Sequence, residues 1–522
     1  MNKFYLTTAI DYVNGAPHIG HAYEKIMADV IVRHMKQRKD KDVYFLTGTD
    51  EHGVKIQKTA EANGITPQEL CDQNAQKFID AWKQLEINYD QLIRTTDPKH
   101  KETVKKIFKK LLDKGDIYKH SYTGLYCAGC ESFLNARDLT EDGLCPDHLK
   151  KPEEVQEENY FFKLTKYKER IIEHIKNDPS FLQPAFRVNE VINQLENIED
   201  ISVSRAKTSV EWGIEVPGDD SQIIYVWIDA LSNYITALGY DTETPSEQFK
   251  KYWPADIQVI GKDILKFHSI YWIAILMALE IELPKTILGH GWITIDQSKM
   301  SKSIGNVIAP KDVIESFEME NSDALRYYMM TCAPFGRDGN YSDEDFKEKV
   351  NADLANNIGN LLNRTLNMLV KYFDGEIKEE FITNKNCEIA VLAEKTVNEV
   401  KNCFNGYQVA EAANAIVDFS NAVNKYVTDN APWTLAKEEK MAECANVIYN
   451  TLESMRFIAV LISPYCPNIA DDILTQLDAE KDYKIDNLSW GGIKIGKITE
   501  KEKIKPVFLR LDSEFATDKK KG

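Results

Sequence analysis

The chain has 522 residues, a formal net charge of −18, 43% apolar residues and 10% aromatic residues, enough for roughly two to four domains whose cores need no disulfides. Its nine cysteines are odd in number and mostly scattered, which speaks against a secreted disulfide framework. No cationic leader with a cleavage site is visible, the apolar run Ile270 to Leu279 is too short to span a bilayer, and the negative charge leaves any nucleic-acid contact to a local basic face, so a cytoplasmic protein without membrane association is expected.

The first elements alternate between strand and helix. "KFYLTTAI" (3–10) and "DVYFLTGTD" (42–50) are β-branched and aromatic runs, and the segment between them places Ile26, Val30, Ile31 and Met35 at helical spacing. Such a βαβ unit predicts a parallel sheet with a ligand site at the strands' C-terminal ends. The composition changes over 116–222, which reads as an insertion splitting one sheet. Alternation resumes at "IIYVWIDALSNYI" (223–235), at 256–279 and at "KTILGHGWITI" (285–295). Beyond residue 345 the pattern is helical: Ile358, Leu361, Leu362, Thr365, Leu366, Leu369 and Val370 form one stripe. A helical bundle is expected to about residue 512, and "ATDKKKG" reads as the end of a disordered tail, 513–522.

Two short motifs carry chemistry. "NGAPHIGHAY" (14–23) follows the first strand and opens a helix, placing His18 and His21 on one turn. Unpaired N–H groups and the positive dipole end attract an anion there, and two imidazoles can bond phosphate oxygens as their charge grows. "KMSKS" (299–303) follows a late strand of the same sheet and sets Lys299 and Lys302 among serines ahead of Gly305. Ammonium groups on flexible stems can follow a departing polyphosphate. Each motif alone matches a solvated surface segment just as well; both, in this order on one sheet, do not arise easily by chance. A third pattern, Cys127, Cys130, Cys145 and His148, has the C-x2-C-x14-C-x2-H spacing of a closed tetrahedral zinc site, which is structural because it leaves no open position.

"HIGH" (18–21) and "KMSKS" (299–303) resemble the two signatures of class I aminoacyl-tRNA synthetases. "TGTDEHG" (47–53), "IYVWIDAL" (224–231), "GKDILKFH" (261–268) and "APW" (431–433) resemble the methionyl-tRNA synthetase family in particular, over nearly the whole chain. The resemblance implies an α/β fold: a Rossmann-type catalytic domain in two halves (1–115 and 223–345), a zinc-bearing connective insertion (116–222) and an α-helical anticodon-binding domain (346–512). It implies activation of L-methionine with ATP and Mg2+, release of pyrophosphate, and transfer of methionine to tRNA(Met).

By the same resemblance the methionine pocket comprises Ile10, Tyr12, Asp50, Trp227, Ala230, Tyr234, Ile264 and His268, and the ATP site Gly20, His21, Glu24, Gly261, Asp263 and Lys302. Aromatic walls suit a polarisable thioether. Asp50 is expected to pair with the substrate ammonium, and Asp263 to accept from a ribose hydroxyl while also capping a helix. Asn356, Asn360 and Arg364 share one helix face opposite the apolar stripe, and the family's anticodon contacts fall on Asn360, Arg364 and Trp433. Relatives often have cysteine where His148 stands, and several carry proline or an aromatic where Asp11 stands. A monomer is expected, because the family's extra dimerisation domain is not seen. The alternatives are a sister synthetase, a small-molecule nucleotidyltransferase sharing the HxGH site, and a non-catalytic tRNA-binding paralogue.

Overall fold

The computed structural model describes residues 2–127, 132–134, 139–146, 149–295, 307–382 and 387–511. The strand Asn2–Thr8 lies in the middle of a seven-stranded sheet, between the strands Lys41–Asp50 and Ile257–Gly261. Ile287–His290 follows on one side, and the short strands Asp11–Tyr12 and Gln91–Arg94 both pair with Lys41–Asp50 on the other. Every pairing in the sheet is parallel. The chain leaves the central strand in one direction for Lys41–Asp50 and reaches the opposite neighbour only much later. Their C-terminal ends therefore frame a crevice at the point where strand order reverses, the usual ligand site of such sheets.

Alternation along the central strand divides the interior. Phe4 and Leu6 join one hydrophobic cluster and Tyr5 the other, on the opposite face. The first helix, Ile19–Gln37, covers the Phe4 face and is buried far beyond its apolar stripe. It is sandwiched between the sheet and the helices Asp323–Thr331 and Val409–Asn430, so even Glu24, Lys25, Asp29 and His34 lie out of solvent. Gly48 is required where it stands: a Cβ there would lie 2.3 Å from the Ile93 carbonyl oxygen of the neighbouring strand.

In the span read as an insertion, Ile117–Cys127, Ser132–Leu134, Glu153–Phe162 and Ile201–Ser202 form a separate antiparallel sheet. One piece of that span behaves differently. Leu182–Gln183 pairs with Ile287–His290 and completes the main sheet, a return that periodicity over two residues could not reveal. The C-terminal part is helical, with long helices at Glu388–Asn405, Val409–Asn430 and Met441–Ile462. The predicted stripe at Ile358, Leu361, Leu362, Thr365, Leu366 and Leu369 is buried. The same helix is wound more widely, with π geometry, over Asn351–Gly359. Among the described residues no helix is long and apolar enough to cross a membrane. The tail expected at 513–522 lies outside the described residues.

Candidate functional site

Tyr12 and Asp50 of the predicted methionine site and Gly20 and Gly261 of the predicted ATP site lie at the C-terminal ends of the central strands. Asp50 ends the strand Lys41–Asp50 and sits in register with Tyr12. Gly261 ends Ile257–Gly261, and the helix that starts at Ile19 points its N-terminus into the same region.

His18 is the N-cap of that helix, with extended backbone. Its Nδ1 accepts from the Gly20 N–H at 3.1 Å, while His21 Nδ1 accepts from the His18 N–H at 3.2 Å. This reciprocal cap is a histidine version of the capping box. The two rings lie 3.8 Å apart, and His21 also rests edge-on against Phe78 at 5.4 Å. A ring nitrogen that accepts carries no proton, so each neutral imidazole holds its hydrogen on Nε2. Two N–H donors thus stand beside a positive helix end, which suits the charge of a reacting phosphate.

Beyond the histidines the helix contributes charge. Glu24 Oε1 accepts from the buried Lys25 ammonium at 2.8 Å, and Glu24 Oε2 lies 3.0 Å from His290 Nε2. Burial favours the neutral carboxyl, yet Lys25 and His290 together hold Glu24 below its ordinary range. Asp263 differs in part from expectation. Gly261, not Asp263, is the N-cap of the short turn Lys262–Ile264, and Asp263 Oδ1 instead accepts from the Trp292 indole N–H at 3.1 Å. Its exposed carboxylate remains able to accept from a sugar hydroxyl.

The pocket helix Val226–Thr236 carries Trp227, Ala230 and Tyr234. Tyr234 O–H donates to His268 Nε2 at 2.7 Å, and His268 Nδ1–H donates to the Ile264 carbonyl at 3.0 Å. Both ring nitrogens are thereby assigned to a neutral imidazole, and burial pushes its pKa down to about 4. Trp227 stacks on Phe267 with centroids 3.7 Å apart and meets His268 edge-on at 6.4 Å. His268 and Phe267 lie in a π-helical stretch, Phe267–Trp272, a winding often found at functional sites. The result is a neutral, aromatic cluster of a kind suited to pack against an apolar, polarisable side chain.

Sequence reasoning missed several supports. Phe267 was hidden because nothing local to it separates a ring that stacks on Trp227 from ordinary core. Asp229 of the pocket helix accepts from His52 at 2.6 Å and from His100 at 2.7 Å. Burial raises the Asp229 pKa, but the two histidines outweigh it and bring it to about 2. This bridge ties the pocket helix to the segment after Asp50. Glu51 is clamped by Arg94 at 2.6 and 3.0 Å and by the hydroxyls of Thr49 and Thr96. The quoted "TGTDEHG" held the available signal: three ionisable residues in a row at a strand end.

In the helical part, Asn356, Asn360 and Arg364 are exposed on one face, and Trp433 is 42% exposed. Arg364 Nη2 donates to Asn424 Oδ1 at 3.2 Å. Asn357, on the adjoining face, accepts from Ser420 and Asn424 and donates to Asn421, which firms the support beneath. Lys299 and Lys302 lie outside the described residues, as do Cys130 and His148. Cys127 and Cys145 are buried although neither belongs to a hydrophobic core cluster. The Cys145 carbonyl accepts from the Leu149 N–H at 2.8 Å and the Cys145 N–H donates to the Lys150 carbonyl at 2.9 Å, closing a tight backbone loop. Two buried thiols, one of them on a closed loop, are compatible with two of the four ligands of a metal knuckle.

Residues 4–153 and 147–366 match the family described as tRNA synthetases class I (M), and residues 380–490 match the anticodon binding domain of methionyl tRNA ligase. The methionine–tRNA ligase of Clostridium acetobutylicum is 44% identical over 518 residues, covering 98% of this chain and 78% of that protein. The methionine–tRNA ligase of Listeria innocua is 44% identical over 543 residues, covering 100% of this chain and 80% of that protein. Among solved structures, Mycobacterium tuberculosis methionyl-tRNA synthetase in complex with methionyl-adenylate has a TM-score of 0.91 at 36% identity, over 98% of this chain and 100% of that one. The apo form of the same synthetase has a TM-score of 0.85 at 34% identity, over 98% of this chain and 99% of that one.

Proposed function

This chain belongs to the methionyl-tRNA synthetase family of class I, and from that premise we propose how its residues divide the work. The reaction activates L-methionine with ATP, releases pyrophosphate and charges tRNA with methionine. The observation that carries the assignment of roles is the reciprocal cap of His18 and His21. With both Nδ1 atoms accepting from the helix start, the Nε2–H groups donate to the α-phosphate as methionine's carboxylate attacks it. Lys302, assisted by Lys299, receives the departing pyrophosphate.

Methionine's thioether packs among Ile10, Tyr12, Trp227, Ala230, Tyr234, Ile264 and His268, and its ammonium pairs with Asp50. His268 is useful because it is neutral: its Nε2 is occupied by Tyr234, so the wall presents no charge to the sulfur. Gly20, Glu24, Gly261 and Asp263 border ATP, whose phosphates carry Mg2+. The transfer step is an attack by the terminal ribose hydroxyl of tRNA on the adenylate carbonyl. Asn360, Arg364 and Trp433 read unstacked anticodon bases through two polar side chains and one stacking ring.

Cys127, Cys130, Cys145 and His148 would hold one zinc ion, which braces the insertion and takes no part in bond making. Metal analysis of purified, unchelated protein is expected to return one zinc per chain; its absence removes the claim. The chain is proposed to act as a cytoplasmic monomer, which sedimentation would contradict by a stable dimer.

The deciding assay is exchange of pyrophosphate into ATP across the twenty amino acids without tRNA. Exchange with methionine alone supports the pocket, and exchange with another amino acid keeps the fold but discards the pocket residues named above.

A further inference from the structure

Lys25 has no exposed surface at all, unusual for a lysine. Its ammonium meets three acceptors, one for each proton: the Ala9 carbonyl at 2.8 Å, Glu24 Oε1 at 2.8 Å and Asp11 Oδ1 at 3.2 Å. The Trp82 ring lies 5.9 Å from the same nitrogen. Two of these acceptors, Ala9 and Asp11, flank Ile10 and precede Tyr12 on the methionine side. The third, Glu24, borders ATP and is held on its other oxygen by His290.

Asp11 is 6% exposed, and its Oδ2 has no hydrogen-bond partner among the described residues. A buried carboxyl group with one bare oxygen keeps its charge only beside a fixed cation: burial lifts the Asp11 pKa to about 7, and Lys25 opposes that rise. The Asp11 departure noted in the sequence therefore has a physical account: Asp11 pairs with Lys25 on the helix.

We propose that Lys25, with Asp11 as its counterion, is a positioning residue that locks the methionine wall and the ATP-side carboxylate into one unit. It touches neither substrate. Its three bonds set the distance between the segment Ala9–Tyr12 and the helix bearing His18, His21 and Glu24. Loss of the cation would leave Asp11 and Glu24 as neighbouring buried carboxylates, one of which must take up a proton. Both subsites would then loosen together. Loss of Asp11 alone would loosen the methionine side, left with the Ala9 carbonyl as its single tie to Lys25, while the ATP side keeps the Lys25–Glu24 pair.

This inference rests on the pocket and ATP assignments proposed above, so the test carries a control for them. Methionine-dependent pyrophosphate exchange is measured on full-length wild type, Asp11→Asn, Lys25→Met and Trp227→Ala. Asp11→Asn is expected to raise KM for methionine about fivefold or more with KM for ATP within about twofold, while Lys25→Met raises both by about tenfold or more. Asp11→Asn with both constants unmoved, or with both moved equally, overturns the proposal. So does Lys25→Met that folds with a lower Tm and unchanged constants, since that outcome belongs to a merely structural lysine. If Lys25→Met does not fold, the split in Asp11→Asn decides alone. An unchanged methionine KM in Trp227→Ala overturns the pocket assignment itself, and this inference with it.

Discussion

The helix Ile19–Gln37 carries histidines at its two ends and uses them in opposite ways. At the N-terminal end, His18 and His21 bond the helix's own backbone through Nδ1. At the C-terminal end, His34 is fully buried and stacks on Phe404 of the anticodon-side helices, with centroids 3.8 Å apart and planes 3° from parallel. Burial pushes the His34 pKa down to about 3, so it serves as a flat neutral ring. What an imidazole does here depends on its partners: bonded to backbone it caps a helix, and against an aromatic face it becomes packing.

The strongest way to break the comparison lies between the two ends. Arg326 is completely buried and donates to Asp29 on this helix at 2.7 Å, to Leu85 at 3.0 Å, and to the carbonyls of Pro464 and Tyr465 at 2.8 and 3.0 Å. Arg326→Leu leaves three buried carbonyls without their donor, while Asp29 keeps Arg33 at 2.6 Å and the Asn88 N–H at 2.9 Å, and should cost about 3 kcal/mol of stability. Denaturant unfolding checks this; a loss below about 1 kcal/mol would mean the guanidinium does not join the two halves.

Next comes the donor end. His18→Asn keeps a capping oxygen but removes the Nε2 donor, so the helix should survive while adenylate formation falls about 10²–10³-fold. Methionine affinity should change little. An unaltered activation rate would refute the donor role, and an equal collapse in Tm would make His18 a cap alone.

The packing end predicts a pH effect. His34 ordinarily titrates near 6.5 but is held near 3 in the fold. The unfolded chain therefore binds more protons between those values, and stability falls as pH drops through that window. The stabilisation is complete above pH 6.5 and should be reduced by about 2 kcal/mol at pH 5. Unfolding measured at pH 7.5 and pH 5 should show this slope in wild type and a smaller one in His34→Phe; identical slopes would contradict it.

The smallest effect concerns the remote RNA face. Arg364→Ala should raise KM for tRNA about tenfold, or about 1.4 kcal/mol, and spare adenylate formation. If activation falls equally, Arg364 is a support for Asn424 and not a reader of bases.

The pattern of legibility follows the range of the forces involved. The βαβ opening, the helix beginning at the "HIGH" motif and the apolar stripe from Ile358 were readable because periodicity and capping act over a few neighbouring residues. The aromatic pocket residues were readable only through resemblance, since Trp227 and Tyr234 carry no local sign that separates a substrate wall from ordinary core. Phe267 escaped for the same reason: nothing local marks a ring that stacks on Trp227. Asp11 looked like an oddity because its explanation, Lys25, is a partner brought near by the crossing of strand and helix.

By itself the sequence determined the order of elements and the capped helix start at His18, since these depend on short-range spacing and side-chain chemistry. Only the tertiary structure decided which polar groups would be buried together. Lys25 with Asp11, Asp229 with His52 and His100, and Arg326 with Asp29 are joined across 14 to 297 positions of chain. A buried charge is stable only when its counterion and hydrogen bonds arrive from other elements, and that depends on how the elements pack.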